Sequence, residues 1–174
     1  MSPSASPDTM AAETISFLEA NADETRARSY QRYFKEPVAC FGTDNKLLKR
    51  LIRDLIGRTD EEWTMTEAVQ FCEAMLRDPH TESRGIGFQV VAHFASSAEP
   101  ELLADARRWL EESCENWGLV DNLAPSVVAP LIQRHPHLIP DVVAWTGSSN
   151  LWVRRGAVVA FVPLVDDEDC RDAA

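Results

Sequence analysis

Apolar residues recur at helical spacing along almost the whole chain. Between residues 43 and 58, Leu47, Leu48, Leu51, Ile52, Leu55 and Ile56 fall on one face, which predicts an amphipathic helix closed by Gly57. Thr64 and Glu67 have the T-x-x-E spacing of a capping box and open a helix running to about Arg77. Earlier, Met10, Ile15, Phe17 and Leu18 mark a helix over 8–22, and Ala27, Tyr30, Tyr33 and Phe34 mark one over 24–35 that Pro37 stops. Further helices are expected at 81–96, 99–114, 117–134, 138–146 and 149–162. Pro100 suits a first turn, Pro125 and Pro130 predict a kink or break inside 117–134, and Ser149 is the expected cap of 149–162. No segment keeps a two-residue alternation, so no strands are expected.

The helices come in pairs whose first members begin near 43, 81, 117 and 149. Those steps approximate the ~40-residue period of two-helix HEAT-type units. Such pairs bury their apolar faces only by stacking, so the expected fold is all-α, a curved α-solenoid of HEAT-like helix pairs with a concave binding side. An irregular helical bundle is the alternative. The expected organisation is a disordered leader over 1–7, one helical repeat domain over 8–165, and an acidic tail over 166–174, DDEDCRDAA.

Length and composition agree with one domain, since 174 residues at 45% hydrophobic are enough for one well-cored unit. A formal charge of -11 argues against a protein that coats nucleic acid indiscriminately or lies on an anionic membrane. There is no run of the roughly 18 apolar residues that a membrane span needs and no secretory leader, so no membrane association and a cytoplasmic location are expected. Cys40, Cys72, Cys114 and Cys170 stand singly, without a C-x-x-C pair, and Cys72 and Cys114 fit small core positions. His80 and His93 are isolated, while His135 and His137 flank Pro136 and share no helical face, so no metal is expected. No nucleophile elbow, phosphate loop or H-E-x-x-H is present, which argues against a conventional hydrolase or nucleotide enzyme.

Three groups of residues carry candidate chemistry. Trp117 and Asp121, in ENWGLVDNLAP, stand at i and i+4 on one helical face, while Leu119, Val120, Leu123, Val127, Val128, Leu131 and Ile132 bury that helix without them. Lys46, Lys49, Arg50 and Arg53 form a cationic stripe opposite the leucines, either a solvated face or a phosphate-binding ridge. In SSNLWVRRGAVVAF, Trp152 and Arg155 at i and i+3 suit a structural cation-π pair or a bidentate phosphate clamp. Asp121 itself has a structural alternative, a bond to Arg154, Arg155 or a neighbouring helix end.

Taken in order, YFKEPVACFG at 33–42, the basic helix after it, TESRGIGFQVVAHF at 81–94, WGLVD at 117–121 and the W-x-R-R of Trp152, Arg154 and Arg155 resemble the HEAT-like DNA alkylation repair glycosylases, the AlkD-like family. The resemblance spans about residues 30–162. It implies a concave, cofactor-free enzyme that holds double-stranded DNA containing alkylated bases and releases N3- or N7-alkylated purines; a monomer is expected. By the same resemblance, Asp121 is the catalytic carboxylate, Trp117 packs at the sugar of the lesion, and Arg155 holds the DNA backbone; Arg154, Trp152 and the stripe of Lys46, Lys49, Arg50 and Arg53 are the further residues expected to bind DNA. The family has a second acidic residue near the tryptophan where this chain has Gly118. Its groove also receives an aromatic from helices beyond the W-x-R-R element, so a more open groove, a truncated chain or a non-catalytic HEAT-like module that binds DNA or a protein is the alternative.

Overall fold

A computed structural model describes residues 5–165, and within them the chain is all-helical, with no strand. The α-helices are α1 (Pro7–Ala20), α2 (Glu24–Gln31), α3 (Asn45–Thr59), α4 (Met65–Leu76), α5 (Thr81–Phe94), α6 (Leu102–Glu112), α7 (Trp117–Leu123), α8 (Ala129–Arg134), α9 (Ile139–Ala144) and α10 (Leu151–Val159). The chain divides into two compact units, one through His93 and one from Phe94. The expected acidic tail and the first four residues of the expected leader lie outside the described residues.

In the first unit, α1 buries Met10, Ala11, Thr14 and Leu18 and packs along α4, which supplies Ala68, Phe71, Cys72 and Met75. The backbone of α5 approaches α4 closely at Gly87, where an added Cβ would stand 3.2 Å from Cys72 Sγ. The predicted box at the start of α4 is formed: the Thr64 N–H and hydroxyl both donate to the Glu67 carboxylate, and Thr64 Oγ1 accepts from the Thr66 N–H at 3.2 Å. The hydrogen bonds from Thr64 hold the Glu67 carboxyl below its usual pKa. The stabilisation by the box is therefore present above the ordinary glutamate pKa and fades as pH falls through the lowered one.

The loop leading into α3 is held by a residue forty positions away. Glu82, in the first turn of α5, accepts the backbone N–H groups of Phe41 at 3.1 Å, Gly42 at 2.7 Å and Thr43 at 3.4 Å. The Thr81 N–H donates to the Ala39 carbonyl at 2.9 Å, and the His80 ring stacks on Phe41 with centroids 3.7 Å apart. Gly42 adopts φ 75° there, the left-handed region that favours glycine. The loop then delivers Asp44, whose Oδ1 caps α3 through the N–H groups of Lys46 and Leu47.

Gly57 does not close α3. The helix runs on to Thr59 with Gly57 inside it, and an added Cβ at that residue would meet nothing within 4 Å. The glycine that the backbone requires is Gly42, because the turn type is set by the distant Glu82 carboxylate and not by local sequence.

In the second unit, the break expected at Pro125 and Pro130 takes the form of one turn of π-helix, Ala124–Val128, between α7 and α8. Pro125 has no N–H for the carbonyl four residues back, so the ladder slips by one residue, and the Ala129 N–H reaches the Ala124 carbonyl instead. Pro100 lies ahead of α6, in a turn whose carbonyl accepts the Leu103 N–H at 3.0 Å, and not inside the first helical turn. The cap of α10 is Asn150 and not Ser149: its Oδ1 accepts the N–H groups of Trp152 at 2.8 Å and Val153 at 3.2 Å. Trp109, Leu110, Leu119, Val120, Leu123, Ile132, Ile139, Val142 and Val153 form the core of this unit, and Cys72 and Cys114 are buried as expected in their respective units.

Gly42→Ala and Gly57→Ala are expected to act in opposite directions. A Cβ at residue 42 would stand 2.2 Å from the Asp23 carbonyl oxygen, so Gly42→Ala should cost at least about 2 kcal/mol in urea unfolding. Gly57→Ala should stabilise by about 0.5–1 kcal/mol, because alanine is the better helix former and the site is open. Equal effects from the two substitutions would refute the assignment of the turn to Gly42.

Candidate functional site

Helix α7 opens on a buried cap. The Oδ1 of Asn116 accepts the Leu119 N–H at 3.0 Å, and the helix then begins with Trp117. Leu119, Val120 and Leu123 take the inward face, which leaves Trp117 outward at 42% exposure. Asp121 follows one turn later on the same face as Trp117.

Helix α10 brings the opposite charge. Val153, Gly156 and Ala157 are buried, and Arg155 projects from the side of the helix toward α7. Its Nε donates to Asp121 Oδ1 at 2.9 Å and its Nη2 donates to Asp121 Oδ2 at 2.8 Å. This is the side-on, two-bond pairing in which guanidinium and carboxylate planes match. The hydrogen bonds to Asp121 hold the Arg155 pKa above its usual value, so the guanidinium stays charged.

The pair is not sealed from solvent, since the Arg155 and Asp121 side chains remain 39% and 35% exposed. Nor is it saturated. Asp121 uses the Nε–Nη2 edge of the guanidinium, which leaves both Nη1 hydrogens and one Nη2 hydrogen for another acceptor. Each carboxylate oxygen likewise retains lone-pair capacity. The site can therefore hold a carboxylate in fixed orientation beside an exposed indole and still present a cationic edge.

The remaining predicted residues fall elsewhere. Trp152 is half-buried on α10, and Arg155 is turned to Asp121 rather than onto the Trp152 ring. Arg154 points back along its own chain, where Nη1 donates to the carbonyls of Ser148 and Ser149, both at 2.8 Å. In the first unit, Lys46, Lys49, Arg50 and Arg53 are all exposed on α3. Arg50 lies 3.7 Å from Asp54, while Lys46, Lys49 and Arg53 have no acidic partner among the described residues. Arg58 of the same helix is answered by Glu13 at 3.1 Å.

Two features of this geometry were not assigned from the sequence. Asn116 and Asn150 cap the two helices of the site, and each stands directly before an apolar helical run, which is the signal that could have revealed them. Gly156 lets α10 approach α6, and nothing in the local sequence announces that contact. Among the described residues no group of three or more histidines, cysteines or carboxylates could hold a metal ion, and no helix is long and apolar enough to cross a membrane.

The model of a family described as DNA alkylation repair enzyme matches residues 14–174, a span that includes α3, α7 and α10. No curated protein matches the chain.

The Arg155–Asp121 pair should contribute little to stability, because both partners are partly solvated. In a double-mutant cycle of Asp121→Asn and Arg155→Lys, a coupling of about 1 kcal/mol or less in unfolding free energy is expected. Thermal melts of the three variants check it. Both variants should remain folded and usable in assays, and a coupling of several kcal/mol would instead mark the pair as a structural brace.

Proposed function

We propose that this chain, which belongs to the DNA alkylation repair enzyme family, is a DNA glycosylase that removes positively charged N3- or N7-alkylated purines from duplex DNA. Membership ties the chain to DNA repair and to an interaction with DNA; the reaction and the residues that perform it are the proposal. The observation that carries it is the partly solvated Asp121 carboxylate, oriented by two bonds from Arg155 and standing one turn from the exposed Trp117.

An alkylated purine of this kind already carries its positive charge. When the bond from C1′ to the purine nitrogen breaks, the electron pair leaves with the base, which departs neutral and needs no general acid. The charge left behind develops on the sugar as an oxocarbenium ion. A carboxylate beside C1′ stabilises that charge in the transition state more than in the ground state, which is the condition for raising the rate. Water then adds to C1′, and its proton passes to Asp121 or solvent. The face of Trp117 offers the cationic sugar a negative quadrupole.

Arg155 suits a bridging role in this scheme. Asp121 occupies one edge of its guanidinium and a DNA phosphate would occupy the free Nη1 edge, so the two acceptors need not compete. The bonds from Arg155 also make Asp121 a poorer nucleophile, which favours electrostatic stabilisation and water orientation over covalent attack. Lys46, Lys49, Arg50 and Arg53 supply further phosphate contacts from α3. Trp152 and Arg154 contribute by shaping α10. A second reading, a non-catalytic module that binds DNA or a protein, is favoured by one observation: the ion pair is complete without a ligand.

Incubation with methylated duplex DNA, followed by assay of released 7-methylguanine and 3-methyladenine, separates the two readings. Asp121→Asn should lower single-turnover release by about 10²–10³, or about 3–4 kcal/mol at the transition state. DNA affinity should be kept or rise, because the substitution frees the Arg155 fork for phosphate. Release by Asp121→Asn at the wild-type rate would make the carboxylate structural, and a wild-type chain that releases no base would favour the non-catalytic module.

The α3 stripe makes a separate prediction about binding. If four to six phosphates are neutralised, log K against log salt should slope about -4 to -5, and Lys49→Glu with Arg53→Glu should flatten it. An unchanged slope in the double variant would place the DNA on another surface.

A further inference from the structure

Asn150 joins two helix ends. Its Oδ1 is committed to the Trp152 and Val153 N–H groups, so the side-chain amide can face only one way. Nδ2 is thereby turned to the Glu111 carbonyl in the last turn of α6, to which it donates at 3.2 Å. That carbonyl is among those a helix leaves without an internal partner, just as the first N–H groups of α10 are. A single side chain thus satisfies orphan groups at the end of α6 and at the start of α10.

A second contact fixes the same two helices six residues on. At Gly156 the α10 backbone lies so near α6 that an added Cβ would stand 2.6 Å from Leu110 Cδ1 and 3.1 Å from its Cδ2. Leu110 and Glu111 are neighbours, so tether and close approach engage one turn of α6. Together they hold α10 against both sliding and rotation. Arg155, adjacent to Gly156, then meets Asp121 with both bonds formed. The segment before the tether is held as well: Arg154 Nη1 takes the Ser148 and Ser149 carbonyls, and Ser148 Oγ accepts the Asn150 N–H at 3.2 Å.

We infer that Asn150 is a positioning residue, whose side-chain N–H to Glu111 sets the register at which Arg155 grips Asp121. Its catalytic consequence rests on the reading of Asp121 given under Proposed function. An asparagine that merely capped α10 would be replaceable by aspartate, which keeps the acceptor oxygens and adds a charge that the helix N-terminus favours. A tether is not replaceable in that way, because aspartate lacks the donor and sets a carboxylate oxygen against the Glu111 carbonyl.

The test uses the full chain carrying Asn150→Asp, with its melting temperature as a check on folding. The side-chain Nε–H of Arg155 gives a nitrogen-15 NMR signal, assignable by its loss in Arg155→Lys, whose hydrogen exchange reports the grip on Asp121 directly. In Asn150→Asp that exchange should quicken about tenfold or more, and single-turnover base release should fall about tenfold or more with DNA affinity within about twofold of wild type. Wild-type exchange at Arg155 in Asn150→Asp would overturn the inference and leave Asn150 a simple cap. A wild-type chain that releases no base would overturn the glycosylase reading instead, and the exchange comparison would decide the tether by itself.

Discussion

The side-on contact between Arg155 and Asp121 makes the narrowest geometric demand in the second unit, and the helices around it meet that demand. It asks that two helices, whose contributing residues lie 34 positions apart, present their side chains in one plane at 2.8–2.9 Å. Apolar packing alone is too forgiving to set such a plane, since a core tolerates small slides of one helix over another. The backbone devices around the pair remove that freedom. Asn116 fixes where α7 begins, the π turn at Pro125 fixes how it continues, and Asn150 with Gly156 fixes α10. The pair gains little energy from its partly solvated surroundings. Its geometry therefore follows from the helices, and not the helices from the pair.

The first unit solves a comparable problem with a different group. Helix α3 carries its cations outward only if the preceding loop delivers Asp44 at the right angle. That loop has no core of its own, so its N–H groups are collected by one carboxylate, Glu82. A charged acceptor on three backbone donors is among the stronger arrangements open to a loop, and here residues 41–43 are buried. The same requirement explains why Gly42 alone among the described glycines takes the left-handed conformation.

Local chemistry in the sequence reached as far as local forces reach. The apolar spacing of Leu47 to Ile56, the Thr64–Glu67 box and the i, i+4 placement of Trp117 and Asp121 depend on neighbours within one helical turn, and each is present. Gly57 and Ser149 were read by the same local rules and misled. Glycine serves as a terminator only where φ turns positive, and the backbone at 57 remains helical. Ser149 is a good cap by type, yet Asn150 can cap and also reach Glu111, and the tertiary bond decides between them. The partner of Asp121 stayed open among Arg154, Arg155 and a helix end, because neighbouring arginines differ only by the rotation of α10 about its own axis. That rotation is set by Gly156 against Leu110, a contact between segments more than forty residues apart, and no local spacing encodes it.

The acidic character of the chain bears on how such a site would meet DNA. At physiological salt the Debye length is about 8 Å, so carboxylates farther than that from a bound phosphate are largely screened. The local field at Lys46, Lys49 and Arg53, which lack acidic partners among the described residues, then dominates over the total of -11. At 0.01 M salt the screening length grows to about 30 Å, comparable to the length of a 20-residue helix, and the distant carboxylates re-enter the sum. Attraction by the stripe and repulsion by the rest of the surface thus strengthen together as salt is lowered. The net charge therefore disfavours long-range capture of DNA anywhere on the surface while leaving short-range attraction at the stripe.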